Sequence, residues 1–278
     1  MAARGSDSET LSISLPDGCT LSYGIYGATA PSSLTVFYFH SFPASHHEAA
    51  VLDDAARAAD IRVVAPSRPS MCRSTFQPDR AIAHWPTDVL ALADHAAIRA
   101  DTFGVLGASD GSPYVLACCA TLPASRLRAA GILSGLYPAS LGLQGMLLEA
   151  RLLLWLALWL APWSAGLVQK MLDWSIGAGA ATSDNKLEML MDRAMRARPG
   201  PDRRAWEGNE GGLRDMPVMS VQNAFLGGAR GAAWEAKLLG CSWGFEFADV
   251  KMGEGRLVLW HGGEGACDVG GVRDADWV

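Results

Sequence analysis

A short serine motif flanked by glycines is the strongest chemical signal in the sequence. Residues 107–111 read Gly-Ala-Ser-Asp-Gly, which is the pattern G-x-S-x-G with Ser109 at its centre. Side chains two positions before and after such a serine would collide in a sharp turn from a strand to a helix, so glycine is needed there. A serine held in that strained turn presents its hydroxyl above a sheet, with a helix N-terminus behind it. The motif indicates a nucleophilic serine; the alternative is a glycine- and serine-rich turn without chemistry.

The segments on either side of the motif have the patterns that such a turn requires. Thr102 to Leu106 is a short, mostly apolar run typical of a buried strand, and Ser112 to Thr121 is a helix candidate. The motif therefore falls at a predicted strand-to-helix junction.

The first half of the chain alternates predicted strands with predicted helices. Leu11 to Leu15 and Cys19 to Tyr26 alternate apolar and polar residues around a Pro-Asp-Gly turn, which predicts a β-hairpin. A helix is predicted over His84 to Ile98, and further buried strands at Leu34 to His40, Arg62 to Ala65, Leu127 to Leu133 and Arg256 to His261. This order favours an α/β fold, with a mainly parallel sheet and helices on both of its faces.

The strand pattern disappears between Ala139 and Gly240, where Leu141 to Lys170 and Asp184 to Arg198 are predicted helices. We therefore expect a helical insert. Its apolar stretch from Leu152 to Val168 is 17 residues long, against roughly 20 for a membrane-spanning helix. A buried helix, or a lid surface that faces a lipophilic substrate, is the favoured interpretation. Membrane association is the less favoured alternative.

Composition limits the class of protein. The 278 residues carry a formal charge of −6, with 50% hydrophobic and 19% charged positions, which excludes disorder and a basic nucleic-acid surface. Ten tryptophans suggest a bulky, lipophilic pocket. The six cysteines show no C-x-x-C pair and no histidine at metal-ligand spacing, so we expect neither disulfides nor a metal site, and no cofactor. The polar N-terminus and the cysteine usage predict a cytoplasmic protein.

Four segments together resemble the α/β-hydrolase superfamily, and specifically its capped esterase, peptidase and epoxide-hydrolase-like branch. They are the serine motif, FYFHSFPASHHEA at 37–49, RVVAPSRPSMCRS at 62–74 and RLVLWHGGE at 256–264. The last three are similar to the family's His-Gly-x-Pro, Asp-Arg-Pro-Gly-x-Gly-x-Ser and His-Gly-x-x-Asp segments. The resemblance implies an α/β-hydrolase fold with its core in residues 1–138 and 241–278 and a helical cap insert at 139–240.

The same resemblance implies a nucleophilic mechanism. Ser109 would attack the acyl carbon of an ester or a related lipophilic small molecule. The oxyanion would be bound by two backbone amides, those of Asp110 and Phe42, each worth about 3 kcal/mol in the transition state. Neither donor depends on its side chain.

The sequence departs from the family at several glycines and at the catalytic acid. Ser41, Ser70 and Cys72 stand at family glycine positions, where a positive φ would cost about 1 kcal/mol each. Residues 261–265 read His-Gly-Gly-Glu-Gly, with glycine at the acid position. Glu264 and Asp268 are the neighbouring substitutes.

No histidine follows His261, although the base comes after the acid in this fold. We therefore expect the last strand and the histidine loop to be missing, and Arg256 to His261 to form an exposed apolar edge. Among the other histidines, His40 is expected to support its loop. His46 and His47 are expected to be exposed at the start of a helix, and a position near the rim of the pocket is the alternative. The sequence predicts an impaired serine hydrolase; the alternative is an inactive α/β-hydrolase-like protein that binds a lipophilic small molecule or a partner.

Overall fold

The computed structural model describes residues 10–30, 33–138, 151–152, 169–172, 184–196, 198, 200–209, 213–253 and 255–261. Most of the predicted helix Leu141 to Lys170 lies outside these residues, as do Glu264 and Asp268. The domain boundaries at 138 and 240 stay predictions.

A seven-stranded sheet forms the centre of the described chain. Its strands are β1 (Leu11–Ser14), β2 (Thr20–Gly27), β3 (Leu34–Phe39), β4 (Ile61–Pro66), β5 (Phe103–Ala108), β6 (Leu127–Leu133) and β7 (Leu257–Trp260). Their order in the sheet is β1-β2-β4-β3-β5-β6-β7. β1 and β2 form the predicted hairpin, β2 is also antiparallel to β4, and every other pair is parallel. The prediction of a mainly parallel sheet is confirmed, with β3 directly beside β5.

Seven helices have both of their ends in the described residues. They are α1 (Asp53–Ala58), α2 (Trp85–Asp94), α3 (Ser112–Thr121), α4 (Asp184–Arg196), α5 (Gly200–Gly208), α6 (Asp215–Ala224) and α7 (Arg230–Gly240). Short 3₁₀ helices occur at His46–Leu52, Ile82–His84, Ser109–Gly111 and Phe247–Asp249. The described residues between 139 and 240 contain helices and no strand, as their sequence pattern predicts.

Alternating side chains of the strands build a core on each face of the sheet. Phe37 and Phe39 of β3 point to the face that α2 and α3 cover, where Trp85 and Tyr114 are fully buried. Tyr38 points to the opposite face, into the smaller cluster under α1. Because the side chains of a strand alternate between its two faces, the unbroken apolar run of β3 supplies both cores.

β7 is the outermost strand of the described sheet and exposes apolar side chains. Val258, Leu259 and Trp260 have 40%, 50% and 50% of their surface exposed. The expected apolar edge is therefore present in the described residues.

Polar contacts attach the last two helices to the loops at the carboxyl ends of β3 and β4. Ser45 donates two hydrogen bonds to Ser220 of α6. Its amide donates to the Ser220 hydroxyl at 2.9 Å, and its hydroxyl donates to the Ser220 carbonyl oxygen at 2.9 Å. Glu235 of α7 forms an ion pair with Arg68 at 2.8 Å. These helices are thus held against the edge of the sheet where ligands bind in open α/β folds. Within the described residues, no helix is both long and apolar enough to cross a bilayer.

Candidate active site

Ser109 occupies the strand-to-helix turn that its motif predicts. It follows β5, begins the 3₁₀ turn before α3, and has a left-handed φ of +48°. A Cβ atom on Gly107 would lie 2.7 Å from the carbonyl oxygen of Gly111, and one on Gly111 would collide with the carbonyl oxygen of Phe39. Both glycines are therefore required sterically. A strained non-glycine residue between them is typical of a functional position.

The elbow, which we define as residues 107–111, is tied to the chain that follows β6. The hydroxyl of Ser112 lies 2.8 Å from the carbonyl oxygen of Ser109 and accepts the amide of Leu136 at 2.8 Å. The Leu136 amide also lies 3.2 Å from the Ser109 carbonyl oxygen. In contrast, the Ser109 hydroxyl has no hydrogen-bond partner among the described residues. The backbone of the turn thus positions Ser109, and no side chain among the described residues hydrogen-bonds with its hydroxyl to act as a base.

The two backbone groups predicted to bind an oxyanion come from the oxyanion loop (residues 40–45) and from the elbow. The structure brings them together, because the amide of Phe42 lies close enough to the carboxylate of Asp110 to lower its pKa. Sequence reasoning considered only the backbone of Asp110 and missed its side chain. The carboxylate therefore lies beside the amide that an oxyanion would need.

The surroundings of Asp110 favour its protonated form. Burial raises the pKa of this carboxyl from 3.8 to about 7, against the opposing effect of the Arg68 guanidinium. The carboxylates of Glu235 and Glu48 raise the pKa further, while the Phe42 amide lowers it. Near neutral pH the Asp110 side chain is therefore divided between a charged and an uncharged form.

Arg68 sets the orientation of the oxyanion loop. Its fully buried guanidinium donates hydrogen bonds to the carbonyl oxygens of His40 and Ser41, the latter at 3.0 Å. The Ser41 carbonyl and the Phe42 amide belong to one planar trans peptide unit and so point in opposite directions. By holding the carbonyl, Arg68 turns the Phe42 amide away from itself and towards Asp110.

The Arg68 side chain is itself held by α7 and α3. Glu235 Oε1 lies 2.8 Å from Arg68 Nε and accepts the Tyr114 hydroxyl at 2.6 Å. The Tyr114 ring lies 4.9 Å from the guanidinium carbon. The only sequence signal for this network was the Arg-Pro pair at 68–69 in the family-like segment.

Glu48 supports the other side of the oxyanion loop. Its Oε2 accepts the amide of Ser41 at 2.8 Å and the Ser41 hydroxyl at 2.7 Å, and its Oε1 accepts Tyr38 Oη at 2.8 Å. Burial raises the pKa of Glu48 despite these bonds. The Ser41 amide is thus engaged, which leaves Phe42 as the donor of this loop.

The residues at family glycine positions differ in their backbone conformation. Ser41 is not in the left-handed region, so its side chain adds no backbone strain there. Ser70 and Cys72 have φ values of +65° and +51°, as the family pattern implies for these positions. Both therefore carry the expected cost of a side chain at positive φ.

His40 supports its loop as predicted, and two other histidines do not lie where they were expected. The Nδ1 atom of His40 is 2.9 Å from the Ser41 carbonyl oxygen, and its Nε2 accepts the Arg68 amide at 3.2 Å. Burial lowers the pKa of His40 well below its usual value. His46 and His47, expected to be exposed, are buried and stacked with ring centroids 3.9 Å apart. The prediction for this pair was wrong because the first turn of the 3₁₀ helix packs inward, under the loop after β4.

No described histidine makes a hydrogen bond to Ser109. His84, His95 and His261 are exposed. Glu264 and Asp268, the predicted acids, lie outside the described residues, and their roles stay predictions. A surface cleft of about 470 Å³ lies elsewhere, lined by residues 76–80 and the start of α2.

No family model and no curated protein sequence matches the chain. Several solved structures are similar to it in fold. An epoxide hydrolase from Vigna radiata is 17% identical with a TM-score of 0.57, over 84% of this chain and 73% of that one. The enol-lactonase from Burkholderia xenovorans is 15% identical with a TM-score of 0.52, over 84% and 74%. An esterase from a Rhodococcus species is 15% identical with a TM-score of 0.51, over 83% and 72%.

The likeness to these structures is one of fold, since their sequences have diverged far from this one. Together with the strand order and the strained serine between β5 and α3, it settles the architecture. The chain therefore has the α/β-hydrolase fold.

Proposed function

We propose that the protein is a serine hydrolase that cleaves ester or related acyl bonds with Ser109 as its nucleophile. The observation that carries this proposal is the elbow, where Ser109 adopts a left-handed φ of +48° between two glycines that admit no side chain. Such strain persists only where the surrounding structure imposes it. The structural neighbours support it, since their names are those of an epoxide hydrolase, an enol-lactonase and an esterase.

In the proposed reaction, the Ser109 hydroxyl oxygen bonds to the acyl carbon and loses its proton to solvent, and the carbonyl oxygen becomes an oxyanion. The amides of Phe42 and Asp110 would bind that oxyanion. The negative charge of the Asp110 carboxylate beside the Phe42 amide would repel the oxyanion. Collapse of the intermediate breaks the bond to the leaving oxygen, which takes a proton from solvent and departs as the alcohol, and water then releases the acid from Ser109.

Glu264 and Asp268 are the proposed acids, and the described histidines do not supply the base. We therefore propose weak turnover. A serine without a base is a poor nucleophile, yet an oxyanion hole alone can leave a rate about 10³ to 10⁴ times that of the reaction in water.

The lipophilic acyl substrate and the cytoplasmic setting remain part of this proposal. The free thiols of Cys19, Cys72, Cys118, Cys119 and Cys241 support the latter.

A second candidate is an inactive α/β-hydrolase-like protein that binds a lipophilic small molecule or a partner. The Asp110 carboxylate beside the Phe42 amide favours it, because a negative charge at that place opposes an oxyanion. The two candidates differ in whether Ser109 reacts.

The test is hydrolysis of activated short-chain aryl esters. We expect slow turnover that Ser109→Ala abolishes and that Ser242→Ala, a change at an exposed serine, leaves intact. Turnover that survives Ser109→Ala would remove the nucleophile assignment. No turnover in either protein, with binding of the ester retained, would favour the inactive candidate.

A further inference from the structure

Three side chains with nitrogen and sulfur donors lie together behind the oxyanion loop. Donor atoms of His46, His47 and Cys72 are all within 4.8 Å of one another. Their side chains are buried, with 0%, 7% and 7% of their surface exposed. The histidines follow β3 and the cysteine follows β4, so the fold brings together residues whose sequence spacing gave no sign of a site.

Hydrogen bonds leave one nitrogen of His47 available as a ligand. The Ser45 hydroxyl donates its proton to the carbonyl oxygen of Ser220 at 2.9 Å. It must therefore accept a proton from Nδ1 of His47, 3.1 Å away. A neutral His47 then has its lone pair on Nε2, which has no hydrogen-bond partner among the described residues. Metal-binding histidines use this arrangement, in which one ring nitrogen donates to a supporting group and the other binds the metal.

His46 and Cys72 meet at the hydroxyl of Thr10. That hydroxyl lies 3.1 Å from Nε2 of His46 and is close enough to the Cys72 thiol to lower its pKa. The other ring nitrogen of His46, Nδ1, lies 3.1 Å from the Tyr26 hydroxyl, which can support the ring as Ser45 supports His47. Thr10 is half-buried, so its hydroxyl occupies a position that an ion entering from solvent could take.

The backbone around the cluster makes room for these side chains. A Cβ on Gly24 would lie 2.5 Å from Nδ1 of His46, so the bare backbone of β2 accommodates the imidazole. Cys72 holds its thiol inward from a left-handed φ of +51°, a conformation that favours glycine. Burial of a thiol at a strained position is unexplained by the proposed reaction, which does not use it.

We propose that His46, His47 and Cys72 bind a divalent cation of the zinc class through Nε2, Nε2 and Sγ. Two imidazoles and one thiolate are ligands that zinc accepts, and water would complete a tetrahedron. Binding forms a metal–sulfur bond and releases the thiol proton to solvent, with no change of oxidation state. Zinc bonds of about 2.0 to 2.3 Å place tetrahedral ligand atoms about 3.3 to 3.7 Å apart, so donor atoms that now lie up to 4.8 Å apart must move closer together when the ion binds.

The site would join the 3₁₀ helix His46–Leu52, which directly follows the oxyanion loop, to the loop after β4 that carries Arg68. It contacts neither Ser109 nor Asp110 in the described hydrogen bonds, and it does not depend on the proposed hydrolase function. Its role would be to clamp these two segments together.

Cobalt(II) provides a direct probe, because a cobalt–thiolate bond gives a charge-transfer band that imidazole alone does not. The full chain, treated with chelator and then titrated with cobalt(II), should show this band with one equivalent bound. Zinc should displace the cobalt and raise the melting temperature by about 5 °C at a hundredfold excess over its dissociation constant. Absence of the thiolate band in the wild-type protein would overturn the proposal.

Cys72→Gly is the matched variant, since glycine suits the positive φ and should fold without metal at least as well as the wild type. It should lose the thiolate band and the zinc-induced rise in melting temperature. Cys241→Ser, at an exposed cysteine, should keep both. His47→Ala should weaken zinc binding at least tenfold, whereas His95→Ala should not. A band that persists in Cys72→Gly, or equal zinc affinity in His47→Ala, would contradict the site.

Discussion

The elbow and the oxyanion loop form the two halves of the candidate active site, and different forces shape them. The elbow is fixed by backbone packing, since Gly107 and Gly111 leave no space for a Cβ. The oxyanion loop is fixed by buried charged side chains, chiefly Arg68, Glu48 and Glu235. Sterics thus place the nucleophile, whereas electrostatics orient the oxyanion donor.

The largest expected effect on stability comes from breaking the buried ion pair that supports the oxyanion loop. Arg68→Met leaves Glu235 buried without its partner, and we expect a loss of about 3 to 5 kcal/mol in the free energy of unfolding. The double variant Arg68→Met with Glu235→Leu should recover most of that loss, because it removes both charges. Denaturant unfolding of the three proteins measures this. Equal losses in the single and double variants would show that the charges do not act as a pair.

Disturbing the packing of the elbow should lower the free energy of unfolding by a somewhat smaller amount. In Gly111→Ala the new methyl group meets the backbone oxygen of Phe39, which cannot move without disturbing β3, so we expect a loss of about 2 to 4 kcal/mol. Gly227→Ala serves as the control, since a Cβ there meets no atom within 4 Å. It should change stability by less than about 0.5 kcal/mol. Similar values for both variants would mean that the elbow is not tightly packed.

Acid should weaken the region of the oxyanion loop through its buried histidines. Burial lowers the pKa of His46 to about 3, and that of His40 well below its usual 6.5. Below pH 6.5 the unfolded chain binds protons that these folded residues reject, so each histidine should lower stability by about 1.4 kcal/mol per pH unit. Asp110 acts in the opposite direction, because its raised pKa of about 7 lets the folded chain bind a proton first, and it should offset one of the two histidines. Unfolding curves between pH 7 and 5 measure the slope. His46→Gln should reduce it, and His84→Gln, at an exposed histidine, should not.

The smallest expected effect is relief of strain in the loop after β4. Ser70→Gly places glycine at a φ of +65°, and we expect a gain of about 0.5 kcal/mol. Ser242→Gly, in an exposed segment without positive φ, should give no gain. A loss of stability in Ser70→Gly would indicate that the serine side chain makes contacts worth more than the strain.

The elbow and the sheet could be predicted from the sequence because each is marked by a contiguous pattern of residues. Alternating strands and helices predicted the fold class, and Gly107 and Gly111 marked the turn around Ser109. The burial of His46 and the carboxylate of Asp110 beside Phe42 could not be predicted, since both depend on which loops meet at the edge of the sheet. The same holds for Cys72, whose neighbours in space come from β2 and from the loop after β3.

The central claim is that Ser109 and the Phe42 amide work together and that the Asp110 carboxylate beside the amide opposes an oxyanion. Its most direct test is the rate at which an irreversible phosphonate labels Ser109, read by mass spectrometry from pH 6 to 9. Asp110→Ala should label about ten times faster than the wild type above pH 7, where Asp110 is charged, and the ratio should shrink as the pH falls through about 7. Ser109→Ala should not be labelled. Slower labelling in Asp110→Ala than in the wild type, at every pH, would contradict the account.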